Sequence, residues 1–382
     1  MVLMPTFAYP APRHGGPDAL GVPLHDFSTN SNACGPCPQA LAAVQSCDAS
    51  RYPDPTYAAL RAQLAAFHGV PAQRIVLAGS ASEFIFRITA WVARCGGHTV
   101  RVPLNGYSDY AQAARAWGLA VTPSGPADLH WHADPSSPLG QSPVDATLPD
   151  TAGTVVLDCA YEPLRLSGSP AFAPSQLCRV WQLWTPNKAL GLTGVRAAYA
   201  IAPRDAVGLV AELERLCASW PVGAHGVALL QAWTQPTVQA WLAGSLRTLK
   251  VWKSRQIALL ESLGWCCLPS HANFFSARPC ADDFNRGLDT DLDAGLHAGI
   301  NSDLSSDISS DLDLDFPSLR RHGIKLRNAA SFGLFGHVRL GVLPPAAQDA
   351  LALALAQLAS QTSAGTTPGA LDLNGPQFRR SS

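Results

Sequence analysis

The sequence carries little charge for its length. Only 14% of its 382 residues are charged, and the 27 basic and 28 acidic residues leave a net charge of −1. A chain without an excess of basic residues has no general attraction for nucleic acid, so we expect no nucleic-acid partner. The low charge, together with 47% hydrophobic residues, predicts a large buried core.

Two kinds of segment are missing from the sequence. No run of about 18 uninterrupted apolar residues occurs, and no membrane span is therefore predicted. Residues 1–16 lack the basic start and the apolar stretch of a secretory signal. We therefore expect a cytoplasmic protein that makes no contact with membranes.

The ten cysteines show no regular spacing. Neighbours such as Cys266 and Cys267 do not suit a disulfide framework, and most of the cysteines are expected to be small buried side chains. The motif Cys34-Gly35-Pro36-Cys37 is typical of a redox pair, but it lies in a predicted loop, and no second pair completes a zinc site. We expect neither a redox role nor a metal centre.

The clearest chemistry lies in residues 185–196, which read TPNKALGLTGVR. Lys188 stands eight residues before Arg196 and three residues after Thr185, with mostly small residues between the two basic ones. A lysine that forms a Schiff base must be reachable and easily deprotonated, and a nearby cationic charge lowers its pKa. Arg196 can supply that charge. The alternative is a surface loop with a chance pair of basic residues.

Two predicted strands end at places suited to binding. Residues 74–77 form a short apolar strand, followed by a small-residue turn and a helix from Glu83 to Ala93, and the start of such a helix binds anions. Residues 154–161 include an apolar strand that ends at Asp158, and functional side chains gather at the carboxyl ends of strands in a doubly wound sheet. The alternatives are an ordinary turn and a helix cap.

Composition divides the chain into regions. A long predicted helix, residues 231–263, links a large domain to a smaller one. Repeated Asp, Leu and Ser predict a flexible insertion within the smaller domain. The predicted regions are an irregular N-terminal arm at 1–45, a large domain at 46–245, a small domain at 246–362 with the insertion at about 287–315, and a disordered tail at 363–382.

Two arginines near the C-terminus, Arg327 and Arg339, lie on strands that we expect to be neighbours. Their planar guanidinium groups suit a carboxylate or a phosphate, although an ordinary surface pair is the alternative.

Taken in order, these motifs resemble those of pyridoxal-phosphate enzymes of fold type I, in the branch of histidinol-phosphate aminotransferases and threonine-phosphate decarboxylases. The resemblance covers residues 14–360 apart from the insertion. It implies an α/β fold, with a large domain built on a mostly parallel central sheet flanked by helices and a smaller α/β C-terminal domain. It also implies that the cofactor is pyridoxal 5'-phosphate.

The resemblance implies roles for individual residues. Lys188 would carry the cofactor as a Schiff base, Asp158 would pair with its ring nitrogen, and Tyr161 would bond its phenolic oxygen; these three would be the catalytic residues. Ser137 stands where the family has an asparagine that bonds the same oxygen. The remaining implied cofactor contacts are Tyr107 against the ring, and Ala81, Ser82, Thr185 and Arg196 at the phosphate.

The resemblance extends to the substrate and to the assembly. Arg327 and Arg339 would bind a substrate anion. His14 and Asn30 would also bind substrate, because the segments His14-Gly15-Gly16 and residues 26–32, DFSTNSN, resemble the entry segment of threonine-phosphate decarboxylases. Tyr52 would reach the cofactor phosphate of a second subunit, which implies a homodimer.

The entry segment slightly favours decarboxylation of threonine phosphate, which would serve cobalamin biosynthesis. An aminotransferase of the histidinol-phosphate type is the second interpretation. The third is a degenerate homologue that binds the cofactor without catalysis, because Ser137 replaces the family asparagine.

Overall fold

The computed structural model describes residues 15–143, 148, 153–280 and 314–364. His14 lies outside the described residues, as do residues 287–313 of the predicted insertion and the tail from residue 365 onward. Predictions made for those residues therefore stay predictions.

The strands and helices, numbered separately in chain order, have the following bounds. The strands are β1 His25–Asp26, β2 Ile75–Ala78, β3 Thr99–Arg101, β4 Ala120–Thr122, β5 Leu129–Ala133, β6 Thr154–Asp158, β7 Trp181–Trp184, β8 Ala198–Ile201, β9 Trp265–Cys267, β10 Phe274–Pro279, β11 Ile324–Lys325, β12 Arg327–Asn328 and β13 Val338–Gly341. The helices are α1 Pro38–Ser46, α2 Ala58–His68, α3 Ala81–Arg94, α4 Ser108–Ala116, α5 Pro174–Leu177, α6 Val207–Arg215, α7 Ala224–Trp233, α8 Pro236–Ser262, α9 Phe316–Arg321 and α10 Pro345–Ala364.

The central sheet has seven strands in the order β2-β8-β7-β6-β5-β3-β4. Its strands are parallel except β8, which runs antiparallel to both of its neighbours. Strands β2 and β8 are buried at every position, as expected for strands with both faces covered. The predicted α/β architecture is confirmed. The loops that follow β2, β5, β6 and β7 consequently meet at one edge of the sheet.

A second, antiparallel sheet has the order β12-β13-β10-β9 and pairs Arg327 directly with Arg339. The two arginines thus lie on neighbouring strands, as the sequence pattern predicts. Near this sheet, β1 from the N-terminal part pairs in parallel with β11. The N-terminal part of the chain is therefore held against the C-terminal part.

The long helix predicted over roughly residues 231–263 is confirmed as α8, but its start is displaced, because α7 ends at Trp233 and α8 begins only at Pro236. Proline has no amide hydrogen, suits the first turn of a helix, and disfavours helical backbone in the residue before it. Gln235 is accordingly extended, with φ −74° and ψ 135°. Helix α8 spans the predicted domain boundary at residues 245–246.

Cys266 and Cys280 form a disulfide that the sequence pattern did not predict. The pairing of β9 with β10 brings their Cα atoms to 5.4 Å, although 14 positions separate them in the chain. None of the helices in the described ranges is long and apolar enough to cross a membrane.

A buried aromatic cluster lies between α2 and the central sheet. The Trp233 indole donates to the Tyr199 hydroxyl at 3.1 Å, and that hydroxyl lies 2.7 Å from His68 Nε2. Because the hydroxyl accepts from Trp233, its own hydrogen is available to a neutral imidazole. Burial lowers the pKa of His68 to about 4.

We predict that His68 makes the folded protein sensitive to acid. The pKa of His68 is about 6.5 in the unfolded chain and about 4 in the folded protein, so between these pH values the unfolded chain binds more protons at this residue. The contribution of His68 to the free energy of unfolding is therefore complete above pH 6.5 and falls as the pH decreases towards 4. The free energy of unfolding should fall by about 3 kcal/mol at most through this residue. Urea unfolding at neutral and acidic pH should show a smaller loss for His68→Gln than for wild type. Equal losses would contradict the prediction.

Candidate active site

A cavity of about 290 Å³ lies at the carboxyl edge of the central sheet, where the second sheet faces it. Most of the residues predicted from the sequence meet there. Those lining it are Asn30, Ala81, Ser82, Tyr107, Ser137, Asp158, Tyr161, Thr185, Lys188, Arg196, Arg327 and Arg339. Tyr52 does not line the cavity, and His14 lies outside the described residues.

The lysine loop, residues 185–196, joins β7 to β8. Residues 32–37 hold its backbone: the Asn32 amide donates to Lys188 O at 2.9 Å, the Asn32 side chain donates to Ala189 O at 2.9 Å, and the Cys37 amide donates to Leu190 O at 2.8 Å. Three consecutive carbonyl groups are thus fixed by one segment. This segment contains the Cys-Gly-Pro-Cys motif, whose residue Cys37 is fully buried.

Glycine is required where the lysine loop meets this segment. Gly191 has φ +68°, in the left-handed region that other residues avoid, and a Cβ atom there would lie 3.0 Å from Gly35 Cα. The two backbones pack directly on each other. In this structure the Cys-Gly-Pro-Cys motif therefore acts as a packing surface for the lysine loop.

Several groups that line the cavity can bind an anion. Ala81 and Ser82 begin α3, where backbone amides lack acceptors within the helix and the helix dipole is positive. Ser80 caps this helix by accepting from the Glu83 amide at 3.0 Å. Arg196 lines the same cavity. These donors suit a phosphate group.

Thr185 and Asn187 stabilise the lysine loop through hydrogen bonds inside it. The Thr185 hydroxyl lies 3.0 Å from Asn187 Oδ1 and 3.2 Å from Ala197 O, either of which can accept its hydrogen. The Asn187 amide group in turn donates towards Thr193 O and Val195 O at 3.4 Å each. Asn187, which was not predicted as a site residue, lines the cavity and holds the loop that leads to Arg196.

Asp158 ends β6 and is buried, and its two oxygens accept hydrogen bonds from different donors. The Tyr110 hydroxyl donates to Oδ2 at 2.7 Å, and the Ala160 amide donates to Oδ1 at 2.8 Å. Burial raises the pKa of Asp158, while these two hydrogen bonds and the charge of Lys188 oppose that rise. The carboxylate is therefore held in a fixed orientation at the floor of the cavity.

Sequence reasoning did not single out Tyr110, which donates to Asp158. Its ring stacks on Trp131 with centroids 4.4 Å apart, and desolvation by burial raises its own pKa. One signal could have found it: Tyr110 lies only three positions after Tyr107, which precedes α4, and the two rings contact each other with centroids 5.8 Å apart. Tyr107 faces the cavity with its hydroxyl 3.4 Å from Ser82 Oγ.

The two arginines approach the cavity from the second sheet. Arg339 donates through Nη1 to Ser137 Oγ at 3.0 Å and through Nη2 to Ser28 O at 2.8 Å. Burial lowers the pKa of Arg339, but a guanidinium stays charged at neutral pH. Ser137, predicted as a cofactor contact, thus also orients an arginine.

Phe332 is a further cavity residue that the sequence did not reveal. The guanidinium carbon of Arg327 lies 5.0 Å from its ring centroid, and that of Arg339 lies 5.5 Å from it. Arg327 also donates to Ser331 Oγ at 2.8 Å. Both cationic groups are mostly buried, and the aromatic face stabilises them there.

A buried ion pair joins the two loops that carry Ser137 and Tyr161. Arg165 contacts Asp134 at 2.6 Å and Glu162 at 2.7 Å, with Asp134 and Arg165 both buried. Asp134 precedes the Ser137 loop, and Arg165 follows Tyr161. The ion pair therefore fixes the two loops relative to each other.

Tyr52 lies on the surface, 77% exposed, with its ring stacked on Trp220 at a centroid distance of 4.4 Å. Within one chain it belongs to no part of the cavity. Its role at the site of a second subunit stays a prediction.

Known proteins resemble this chain in sequence. A family model described as aminotransferase class I and II matches residues 127–355. A histidinol-phosphate aminotransferase from Jannaschia sp. (strain CCS1) is 27% identical over 282 residues, which cover 66% of this chain and 76% of that protein.

Solved structures share the fold. Histidinol-phosphate aminotransferase from Sinorhizobium meliloti, in complex with pyridoxal-5'-phosphate, matches with a TM-score of 0.67 at 21% identity and covers 87% of this chain and 90% of that one. L-threonine-O-3-phosphate decarboxylase from Porphyromonas gingivalis matches with a TM-score of 0.62 at 19% identity and covers 87% of this chain and 99% of that one.

We predict that Tyr110→Phe weakens binding of the cofactor implied by the resemblance. The change keeps the ring on Trp131 but removes a hydrogen bond to a buried carboxylate, which is worth about 1.5–3 kcal/mol. The dissociation constant for pyridoxal 5'-phosphate, measured by fluorescence titration, should rise about tenfold or more. Tyr199→Phe, which removes a buried hydroxyl remote from the cavity, should leave the constant unchanged. An unchanged constant in Tyr110→Phe would contradict the prediction.

Proposed function

This chain belongs to the aminotransferase class I and II family and is a pyridoxal-phosphate enzyme, and we propose from this premise that it is an aminotransferase of the histidinol-phosphate type. Its substrate would be a small amine that carries a phosphate or carboxylate group. The name of the relative from Jannaschia supports this reaction. The preference for decarboxylation that the sequence suggested is not confirmed by these comparisons.

The observation that carries the proposal is the juxtaposition of three kinds of group in one cavity. Lys188 supplies an amine and Asp158 a buried carboxylate. Arg327 and Arg339 supply two buried guanidinium groups, both within 5.5 Å of the ring centroid of Phe332. An amine, an acid and an anion site together suit an amino compound that carries an anionic group. This arrangement distinguishes the cavity from a general hydrophobic pocket.

The donor set also fits the cofactor. The amides at the start of α3 and the side chains of Thr185 and Arg196 would hold its phosphate, and Tyr107 would lie against its ring. Lys188 would attach it covalently. When bound, pyridoxal 5'-phosphate supplies an electron sink for a bond at the substrate's α-carbon.

Each protein group then has a defined task. Asp158 would hold a proton on the ring nitrogen, because Tyr110 and the Ala160 amide stabilise its ionised form. Lys188 Nζ, free once the substrate amine has displaced it from the cofactor, would act as general base towards the proton on the substrate's α-carbon and would hold that proton as an ammonium group. Arg339, held by Ser137 and Ser28, would fix a substrate anion so that this proton faces Lys188.

A second candidate is decarboxylation of threonine phosphate. The observation in its favour is that Gly15 and Asn30 line the cavity. These residues belong to the two segments whose sequence resembles threonine-phosphate decarboxylases. If the arginines bind the substrate phosphate, the carboxylate can occupy the position from which a bond to the α-carbon breaks. The two candidates thus differ in which anion the arginines bind.

We also propose that the active form is a homodimer. Tyr52 and Trp220 form an exposed aromatic pair outside the cavity of their own chain, and exposed aromatic pairs are typical of interface anchors. In a dimer, Tyr52 would contribute to the phosphate end of the cavity in the second subunit.

Product analysis tests the reaction. We expect purified protein loaded with pyridoxal 5'-phosphate to form glutamate from histidinol phosphate and 2-oxoglutarate, and to release no carbon dioxide from threonine phosphate. Carbon dioxide without glutamate would establish the second candidate instead. Neither product, with cofactor bound, would favour the interpretation of a homologue without catalysis. Lys188→Ala is the matched control and should abolish any product.

Mixed dimers test the assembly. We expect Tyr52→Phe and Lys188→Ala chains, each of low activity alone, to recover part of the wild-type activity after they are mixed and allowed to exchange. Recovery is expected because one of the two sites in a mixed dimer would contain both native residues. No recovery, with subunit exchange confirmed by mass-tagged chains, would exclude a shared site.

A further inference from the structure

One short segment of the N-terminal part, residues 28–32, contacts three functional groups of the cavity. Ser28 O accepts from Arg339, the Asn30 side chain donates to the Tyr161 hydroxyl at 3.2 Å, and Asn32 binds the backbone of the lysine loop. The three contacts come from alternate residues. Substrate arginine, cofactor tyrosine and lysine are therefore held by one stretch of chain.

Asn30 is the central residue of this segment and is fixed on its backbone side. It is 2% exposed, and the side chain of Asn273 donates to the carbonyl groups of Asn30 and Ser31 at 3.3 and 3.1 Å. The amide side chain of Asn30 has little freedom to leave Tyr161.

The Tyr161 ring is also fixed. The Phe274 ring packs against it edge-on with centroids 4.7 Å apart, and Lys188 Nζ lies 5.1 Å from its centroid. The remaining freedom of Tyr161 is the direction of its hydroxyl hydrogen. A tyrosine hydroxyl has one hydrogen to donate and lone pairs to accept.

We propose that Asn30 is a positioning residue for Tyr161, in contrast to the substrate-binding role that the sequence suggested. By donating to the Tyr161 oxygen, Asn30 turns the hydroxyl hydrogen into the cavity, where it is available to the phenolic oxygen of the cofactor. The inference rests on the proposed function, which assigns Tyr161 to that oxygen.

The other end of the Asn30 amide supports this assignment. Asn30 Oδ1 is buried and has no hydrogen-bond partner in the described part of the chain. A carbonyl oxygen accepts hydrogen bonds and has no hydrogen to donate to an ionised phosphate or carboxylate. The donor end of the amide faces Tyr161, and the acceptor end is unsuited to an anionic substrate group.

The test measures the pH midpoint at which the visible absorption band of the bound cofactor changes. A hydrogen bond from Tyr161 favours the ionised phenolic oxygen, so Tyr161→Phe should raise the midpoint by about one pH unit. Asn30→Ala should raise it in the same direction in the wild-type background. In the Tyr161→Phe background Asn30→Ala should have no further effect, because Asn30 acts through the hydroxyl that is already missing.

Two further variants make the test specific. In Asn30→Asp the new side chain has nearly the same size but offers only an acceptor to Tyr161. The pH midpoint should therefore shift more when this change is made in the wild-type background than in the Tyr161→Phe background. Ser31→Ala alters the adjacent residue without removing a contact to the cavity, and its midpoint should equal that of wild type.

The outcomes separate the inference from the proposed function. If Tyr161→Phe leaves the midpoint unchanged, the role of Tyr161 in the proposed function is wrong. If Tyr161→Phe shifts the midpoint but neither Asn30 variant does, or if the Asn30 shifts are equal in both backgrounds, the positioning role is wrong. A rise in KM for Asn30→Ala with kcat and midpoint unchanged would return Asn30 to substrate binding.

Discussion

The site depends on the contact between the N-terminal segment, residues 32–37, and the lysine loop. Lys188 follows a strand end and has no regular secondary structure of its own, so its backbone must be fixed from outside. Asn32 and Cys37 bind three successive carbonyl groups of the loop, and Gly35 allows the close approach. The lysine proposed to carry the cofactor needs a defined position, and this contact supplies it.

The second constraint is the accommodation of buried charge. The sequence has few charged residues, yet Asp158, Arg165 and Arg339 all lie buried near the site. Each of them has hydrogen-bond partners that offset the loss of water. Such a set of paired charges is costly to rearrange. It therefore keeps the cavity in one geometry before any ligand binds.

The residues that line the cavity come from distant parts of the chain. Asp158 comes from the end of a central-sheet strand, and Lys188 and the start of α3 follow two other strands of that sheet. The second sheet contributes the arginines, and the segment after β12 contributes Phe332. Ser137 links the two parts through its bond to Arg339. A residue that departs from the family pattern thus still has a structural task, which weakens the interpretation that its presence signals a loss of function.

The sequence alone determined the α/β class, the order of the motifs and the positions of Lys188, Asp158 and the two arginines, because these depend on strand ends and local spacing. It did not predict the break at Pro236 within one long helical pattern, where a single residue overrides periodicity. Only the tertiary structure decided that Tyr110 binds Asp158, that Phe332 lies beside both arginines, and that Asn30 faces Tyr161. The first and the last of these contacts join residues that are 48 and 131 positions apart, and no local pattern encodes contacts at such separations. The position of Phe332 depends on the conformation of the segment after β12.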